Sequence, residues 1–309
     1  LERINILKTG GYFMKAAVLY DSSAYLKTPL KERSNLFKVD FTLLLPSEEI
    51  IVESTDESHL KNFFDEWIKE NVSQPKTAQP NIQDYHNAFK KIIAEGYDTV
   101  FGVYLSSSVS GTFQTAESVS NQYRDKLNIV NFDAVGLSVN MEQLVKQITL
   151  MIDQEYSFDA IQKNAEWLNS ESRFFIALEE NDNLIKGGRG QALNEVRDSA
   201  LKTRPVLEYV PGNTPVLRES FRTNKRRNEK LANIAADYQQ QYPDQEILVS
   251  IGHTLDKDKA LKLKDTVQSA LENQHIDISV IGTAFCSHLG QGALSFGLMP
   301  TVKGVKSDD

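Results

Sequence analysis

The sequence predicts an α/β protein: a parallel, doubly wound sheet in the first half and a smaller mixed α/β region in the second. Three observations carry this. From residue 15 to residue 168, short apolar strand-like runs alternate with segments of helical period. Two of the early runs stop at hydroxyl-rich turns, Asp21-Ser22-Ser23 and Ser106-Ser107-Ser108. Beyond residue 170, strand-like runs dominate, interrupted by two long helical segments.

Residues 15–20 read as the first strand, and 41–45 and 49–53 as further strands. Residues 59–70 place Leu60, Phe63, Phe64, Trp67 and Ile68 at helical spacing, and 75–80 form a proline-bounded loop. An amphipathic helix over 82–95, a strand over 99–105, a helix over 112–124 and a strand over 127–132 follow. Helices are expected at 144–152 and 158–168. In the second half, 173–178, 206–210, 216–221, 246–251 and 276–281 read as strands, with helices over 228–238 and 257–271. The boundary falls near residue 170, giving domains 14–170 and 171–309. Residues 1–13, upstream of Met14, stay outside the fold reading.

At 309 residues, 25% charged and 40% hydrophobic, the chain suits two ordinary domains. A net charge of −8 argues against nucleic acid, whose phosphates require a basic surface. The cluster Arg222, Lys225, Arg226, Arg227 is local. One cysteine, Cys286, excludes an internal disulfide framework and a cysteine-rich zinc site, and five scattered histidines offer no metal-ligand spacing. No run approaches the roughly 18 apolar residues of a membrane span, and the start lacks a cleavable signal's apolar core. The expectation is a soluble cytoplasmic protein without a metal, with at most peripheral or transient membrane contact.

The turn Ser106-Ser107-Ser108-Val109-Ser110-Gly111-Thr112 lies between a buried strand and a helix. There, N–H groups without intrahelical acceptors, the positive helix end and several hydroxyls suit a carboxylate or phosphate. The same residues equally suit a serine-rich helix cap. Thr77 sits between prolines that would present its hydroxyl rigidly, or simply in a surface connection. Lys186-Gly187-Gly188-Arg189 reads as a helix C-terminus, or with Arg222 as cations for an oxyanion. His288, before a Gly-x-Gly turn at Gly290, is either structural or reaches a cleft. Asp21 and Ser22 either repel an anion, orient hydroxyls or cap a turn. If ligands gather at the carboxyl ends of the strands, Asp21-Ser22 and Ser106-Ser107 share one cleft.

Seven segments in order resemble the signatures of the DegV family, which includes the fatty-acid-binding subunits of bacterial fatty acid kinase. They are Asp21-Ser22, Thr77-Ala78-Gln79-Pro80, Ser106 to Thr112, Leu184-Ile185-Lys186-Gly187-Gly188-Arg189, Arg204-Pro205-Val206, Phe221-Arg222-Thr223 and His288-Leu289-Gly290-Gln291-Gly292. Ala78 stands where that family usually has serine, Gln291 where it has proline, and Ser108 where glycine is frequent. The resemblance implies an α/β/α three-layer domain joined to a smaller two-layer α/β domain with a mixed sheet, the ligand lying between them. It implies that Thr77, Ser106, Ser107, Ser110, Gly111, Thr112 and His288 hold a fatty-acid carboxylate, with Asp21, Ser22 and Gly290 in support.

It further implies that Arg189 and Arg222 engage an ATP-dependent kinase subunit or its phosphate, and that the acyl phosphate passes to an acyltransferase for phospholipid synthesis. Burial of a tail of roughly 16 carbons, at about 0.8 kcal/mol per methylene, would supply on the order of 10 kcal/mol before entropic losses. Neither a G-x-x-x-x-G-K-[ST] loop nor a dinucleotide fingerprint is present, so the chain reads as a cofactor-free binding subunit and not an enzyme. Two other readings stay open. One is a hydrolase using Ser107 with His288 as base, for which the G-x-S-x-G elbow is missing. The other is a lipid-sensing regulator that binds a protein through the patch from Arg222 to Arg227.

Overall fold

The computed structural model describes residues 14–68, 74–179, 182–193, 203–210, 213–272 and 274–305. The first lobe runs β1 (Ala16–Asp21), β2 (Leu36–Val39), β3 (Thr42–Leu44), β4 (Ile50–Val52), α1 (Glu57–Phe63), β5 (Lys76–Ala78), α2 (Ile82–Ala94), β6 (Thr99–Tyr104), α3 (Thr112–Ser120), β7 (Asn128–Asp133), α4 (Val139–Asp153) and α5 (Phe158–Glu171). The second runs β8 (Arg173–Ala177), α6 (Asp182–Lys186), β9 (Arg204–Tyr209), β10 (Val216–Phe221), α7 (Asn224–Gln241), β11 (Ile247–His253), α8 (Lys257–Ala270), β12 (Ile276–Val280), α9 (Thr283–Leu289) and β13 (Leu294–Pro300).

The first lobe is built on a parallel sheet in the order β2-β1-β6-β7. β1 and β6 are buried along their whole length, as parallel strands covered on both faces must be. Ala17, Leu19 and Val100 pack under Tyr85, Phe89 and Ile92 of α2 and Ala116 and Val119 of α3. Val18, Tyr20, Phe101 and Val103 pack on the other face with Leu144, Val145 and Ile148 of α4. α2 starts on a capping box in which Asn81 and Asp84 satisfy each other's backbone N–H groups.

The second lobe carries a six-stranded mixed sheet, β10-β9-β8-β13-β11-β12, with only β11 and β12 parallel. Phe175, Ala177, Val249, Ile251, Phe296 and Leu298 face α7 and α8. The opposite face, with Phe174, Ile176 and Leu207, joins the α4 core. The layer between the sheets is therefore shared. α4 is buried nearly all round, which a helix tolerates only between two covering layers. Its approach is close: a Cβ on Gly297 of β13 would lie 2.1 Å from Asn140 Oδ1, so glycine is required there.

A three-stranded antiparallel sheet, β4-β3-β5, lies beside the first lobe. Within it Leu43 is paired with Thr77, so the proline-bounded segment expected as a loop is an edge strand with a fixed register. The segment read as one helix from residue 59 is α1 followed by a π-helical turn over Phe64–Ile68; residues 69 and 70 of that reading lie outside the described residues. The helix read from residue 144 starts at Val139, and the one read to residue 124 ends at Ser120. No helix among the described residues is long and apolar enough to cross a membrane.

Candidate functional site

The hydroxyl-rich turn leaves the carboxyl end of β6 and enters α3. Carboxylates at the ends of both neighbouring strands tie it down. From β1, Asp21 accepts from Leu105 N–H at 2.6 Å and from Ser23 N–H at 2.9 Å. From β7, Asp133 accepts from Ser107 N–H at 2.7 Å and from the Ser107 hydroxyl. Ser106 Oγ lies 2.7 Å from Ser108 Oγ, and Ser110 Oγ lies 2.7 Å from Thr112 Oγ1. Gln79 buttresses the turn: its Nε2 donates to Thr115 Oγ1 at 2.7 Å, and a Cβ on Gly111 would fall 2.9 Å from its Oε1.

Opposite the turn, β5 and α9 present Thr77 and His288, whose Oγ1 and Nε2 are 2.9 Å apart. The other ring nitrogen, Nδ1, is buried with no hydrogen-bond partner among the described residues. Gly187, after α6, sits against this edge, where a Cβ would come within 2.3 Å of Nδ1. Burial, reinforced by the nearby Arg189 charge, lowers the His288 pKa to about 4, so the ring is neutral at neutral pH. Gly290 ends α9 at φ +73°, where glycine carries no steric penalty; its carbonyl accepts from Thr254 Oγ1 at 2.6 Å.

Thr77, Ser110, Arg189 and His288 line one cavity with Phe41, Leu105, Val109, Leu184, Leu207, Tyr209, Pro215, Ala284, Phe285 and Leu289. Elements of both lobes contribute, and the lining is aliphatic and aromatic apart from Thr77, Ser110, Arg189 and His288, the composition of a small-molecule site.

Not every residue singled out in the sequence reaches this cavity. Ser106, Ser107, Gly111 and Thr112 belong to the turn without forming its walls. Asp21 is spent on Leu105 and Ser23, and burial raises its pKa to about 6. Ser22 donates to Glu53 at 2.6 Å. Arg222 is exposed, and its carbonyl accepts from Arg204 Nη1 at 2.8 Å. Arg227, counted with it as a basic patch, is fully buried, 2.9 Å from Glu179. The same carboxylate holds Arg204 at 3.1 Å and Lys259 at 3.5 Å. The sequence reading missed Asp133 and the wall residues Phe41 and Phe285 and gave Gln79 no role of its own, since each acts through a contact distant along the chain.

The architecture is thus a two-lobed α/β fold with a mostly apolar cavity between the lobes. The chain matches the family described as "Uncharacterised protein, DegV family" over residues 15–301, and it belongs to that family. A DegV domain-containing protein of Streptococcus pyogenes serotype M6 is 27% identical over 287 residues, covering 93% of this chain and 99% of that protein. The fatty acid binding DegV family protein from Streptococcus agalactiae superposes with a TM-score of 0.83 at 25% identity, covering 94% of this chain and all of that one. DegV of Bacillus subtilis, described as a fatty acid binding protein, shares the fold with a TM-score of 0.80 at 22% identity, over 93% of this chain and 100% of its own.

Proposed function

We propose that this protein binds one long-chain fatty acid, tail among the apolar walls and carboxylate at Thr77, Ser110 and His288, and presents it to a separate ATP-dependent kinase. The observation that carries this reading is the coincidence, in one interlobe cavity, of an apolar lining with the hydrogen-bonded Thr77–His288 pair, Ser110 and the cation Arg189. The streptococcal relative described as fatty acid binding supports the ligand class.

In the tautomer that carries its proton on Nε2, His288 donates to Thr77 Oγ1 and leaves the threonine hydroxyl free to donate to a carboxylate oxygen. Ser110 supplies a second hydroxyl. Thr77 and Ser110 are neutral donors that orient the carboxylate, so that an oxygen stays nucleophilic toward a γ-phosphate. Arg189 at the cavity and exposed Arg222 are the cations assigned to the kinase or the transferred phosphate. The acyl phosphate then passes to an acyltransferase of phospholipid synthesis.

A serine hydrolase fits less well. The Ser107 hydroxyl is bound to Asp133 while His288 faces Thr77, so nucleophile and base are not assembled. The test is mass spectrometry on the organic extract of purified protein after denaturation. A fatty acid released in near-stoichiometric amount is expected; an empty extract from well-folded protein, with no binding of added fatty acid, overturns the reading.

A further inference from the structure

Beside the cavity, the seam between the lobes closes around one buried acid. Glu53 follows β4 and is 8% exposed. Tyr25 Oη donates to its Oε1, and Ser22 Oγ donates to its Oε2 at 2.6 Å while accepting from Phe41 N–H at 2.9 Å. Its neighbour Ser54 bridges the lobes: Ser54 N–H donates to Thr283 Oγ1 at 3.1 Å, and Thr283 N–H donates to the Ser54 carbonyl at 3.0 Å. Gly282, the cap of α9, is pressed so closely to this point that a Cβ would lie 2.6 Å from the Tyr25 ring and 3.0 Å from Glu53 Oε1.

The seam is coupled to the cavity by packing. Phe285 of α9 meets Tyr25 and Phe41 edge-on, at ring-centre distances of 6.4 and 6.1 Å, and Phe41 and Phe285 are cavity walls. A shift of α9 away from Glu53 therefore moves the walls that enclose the tail.

Burial is the main force against the ionised form of Glu53, and the charges around it add to that force. Asp21 of β1 and Asp40, just after β2, repel it. From α9 it faces Cys286, whose thiol burial keeps protonated. Lys31 and Lys38 line the adjoining pocket, but Lys38 is committed to Asp40 at 2.7 Å, and Glu53 forms no ion pair among the described residues. Burial thus outweighs the donors Ser22 and Tyr25, and the carboxyl pKa is raised from 4.5 to about 7.

We propose that Glu53 is a proton-operated latch: protonated, it lets α9 close on the first lobe and retain the ligand, and ionised, it loosens the seam and speeds release. This rests on the fatty-acid reading for its ligand, not for the latch itself. A raised folded-state pKa stabilises the closed form below 4.5 and loses that stabilisation as pH climbs through 7. Over this window the closed-to-open ratio falls by up to tenfold per pH unit, and above about 8 it is flat.

The test uses the full chain loaded with a fluorescent C16 or C18 fatty acid, mixed with excess albumin, and follows release from pH 5 to 8.5. A release rate that climbs about tenfold between pH 5.5 and 7 and then levels is expected, with Glu53→Gln slow and flat. A flat wild-type profile, or one that Glu53→Gln leaves unchanged, overturns the latch. Hydrogen exchange at the Thr283 amide, without ligand and corrected for intrinsic pH dependence, gives a lipid-free readout. If protection falls over the same window only when Glu53 is present but no fatty acid binds, the latch stands and the lipid reading fails. Should Glu53→Gln not fold, the wild-type Glu53 side-chain carbon followed by NMR decides: titration near 7 supports the latch and titration near 4.5 overturns it. Tyr25→Phe, which removes a donor to the ionised form, should move that midpoint upward.

Discussion

Replacing Thr77 with valine removes one hydroxyl and almost no volume, and so isolates the head-group contact. In the free protein the change leaves His288 Nε2 without its 2.9 Å partner, while Nδ1 already has none among the described residues. A neutral buried hydrogen bond contributes about 1 kcal/mol, and leaving its partner unsatisfied costs about 1–3 kcal/mol, which sets the expected loss in urea stability. The complex also loses a hydrogen bond to an ionised carboxylate, about 1.5–3 kcal/mol, which weakens binding roughly 10- to 150-fold. The tail contacts are untouched. Plotting binding free energy against chain length for C12 to C18 acids should give two parallel lines, each methylene contributing about 0.8 kcal/mol. The offset should stay constant between pH 6 and 8, because the lowered pKa of His288 keeps it neutral throughout that range. Superimposable lines would refute the placement of the carboxylate at Thr77, and a changed slope would show that the residue acts on the tail instead.

Glu179→Gln should destabilise the fold by about 3–5 kcal/mol in denaturant titration, because it strips the counter-charge from fully buried Arg227. Arg222→Ala, by contrast, should change stability by less than about 0.5 kcal/mol; under the proposed kinase partnership it leaves lipid retention intact and lowers phosphorylation, and loss of the lipid would contradict the division of roles. Gly187→Ala should lower fatty-acid affinity at least several-fold by displacing the His288 ring, a shift visible as a changed imidazole resonance by NMR. Asp21, raised from 3.8 to about 6, stabilises the fold most when protonated and loses that contribution as pH rises through 6. Asp21→Asn should therefore flatten the stability profile between pH 4 and 6.5, measured by urea unfolding at each pH.

Local pattern made some of this structure legible and left the rest silent. The 99–105 run is apolar on every residue but its first, the pattern of a strand covered on both faces, and the hydroxyl turn after it announces itself by composition. β13 gave no such signal, since Gly297 and Pro300 weaken a strand pattern even though all seven of its residues are buried. α9 is only seven residues long, about two turns, too short for its mixture of Thr283, Ser287 and His288 with apolar residues to show a helical period. The start of α4 escaped notice because Asn140, Glu142 and Gln143 look like solvent residues; they are buried against the second lobe, Gln143 donating to Ser250 at 3.1 Å and Glu142 accepting from Ser279 at 3.1 Å. At the site, composition singled out Ser107 but not its orientation, which depends on Asp133, twenty-six positions away. Thr77 and His288, 211 positions apart, meet only through the register of an edge strand and the docking of α9.

β13 lies in the middle of the second sheet, between β8 and β11. During synthesis β8 must wait more than a hundred residues for that neighbour, so the second lobe has no continuous sheet until residue 300 has left the ribosome. Until then the nascent chain carries two unsatisfied strand edges, one on each fragment, ready to pair with other chains. A product stopped short of β13 would have a completed first sheet attached to an aggregation-prone remainder, and chaperone demand should concentrate in that late interval of translation.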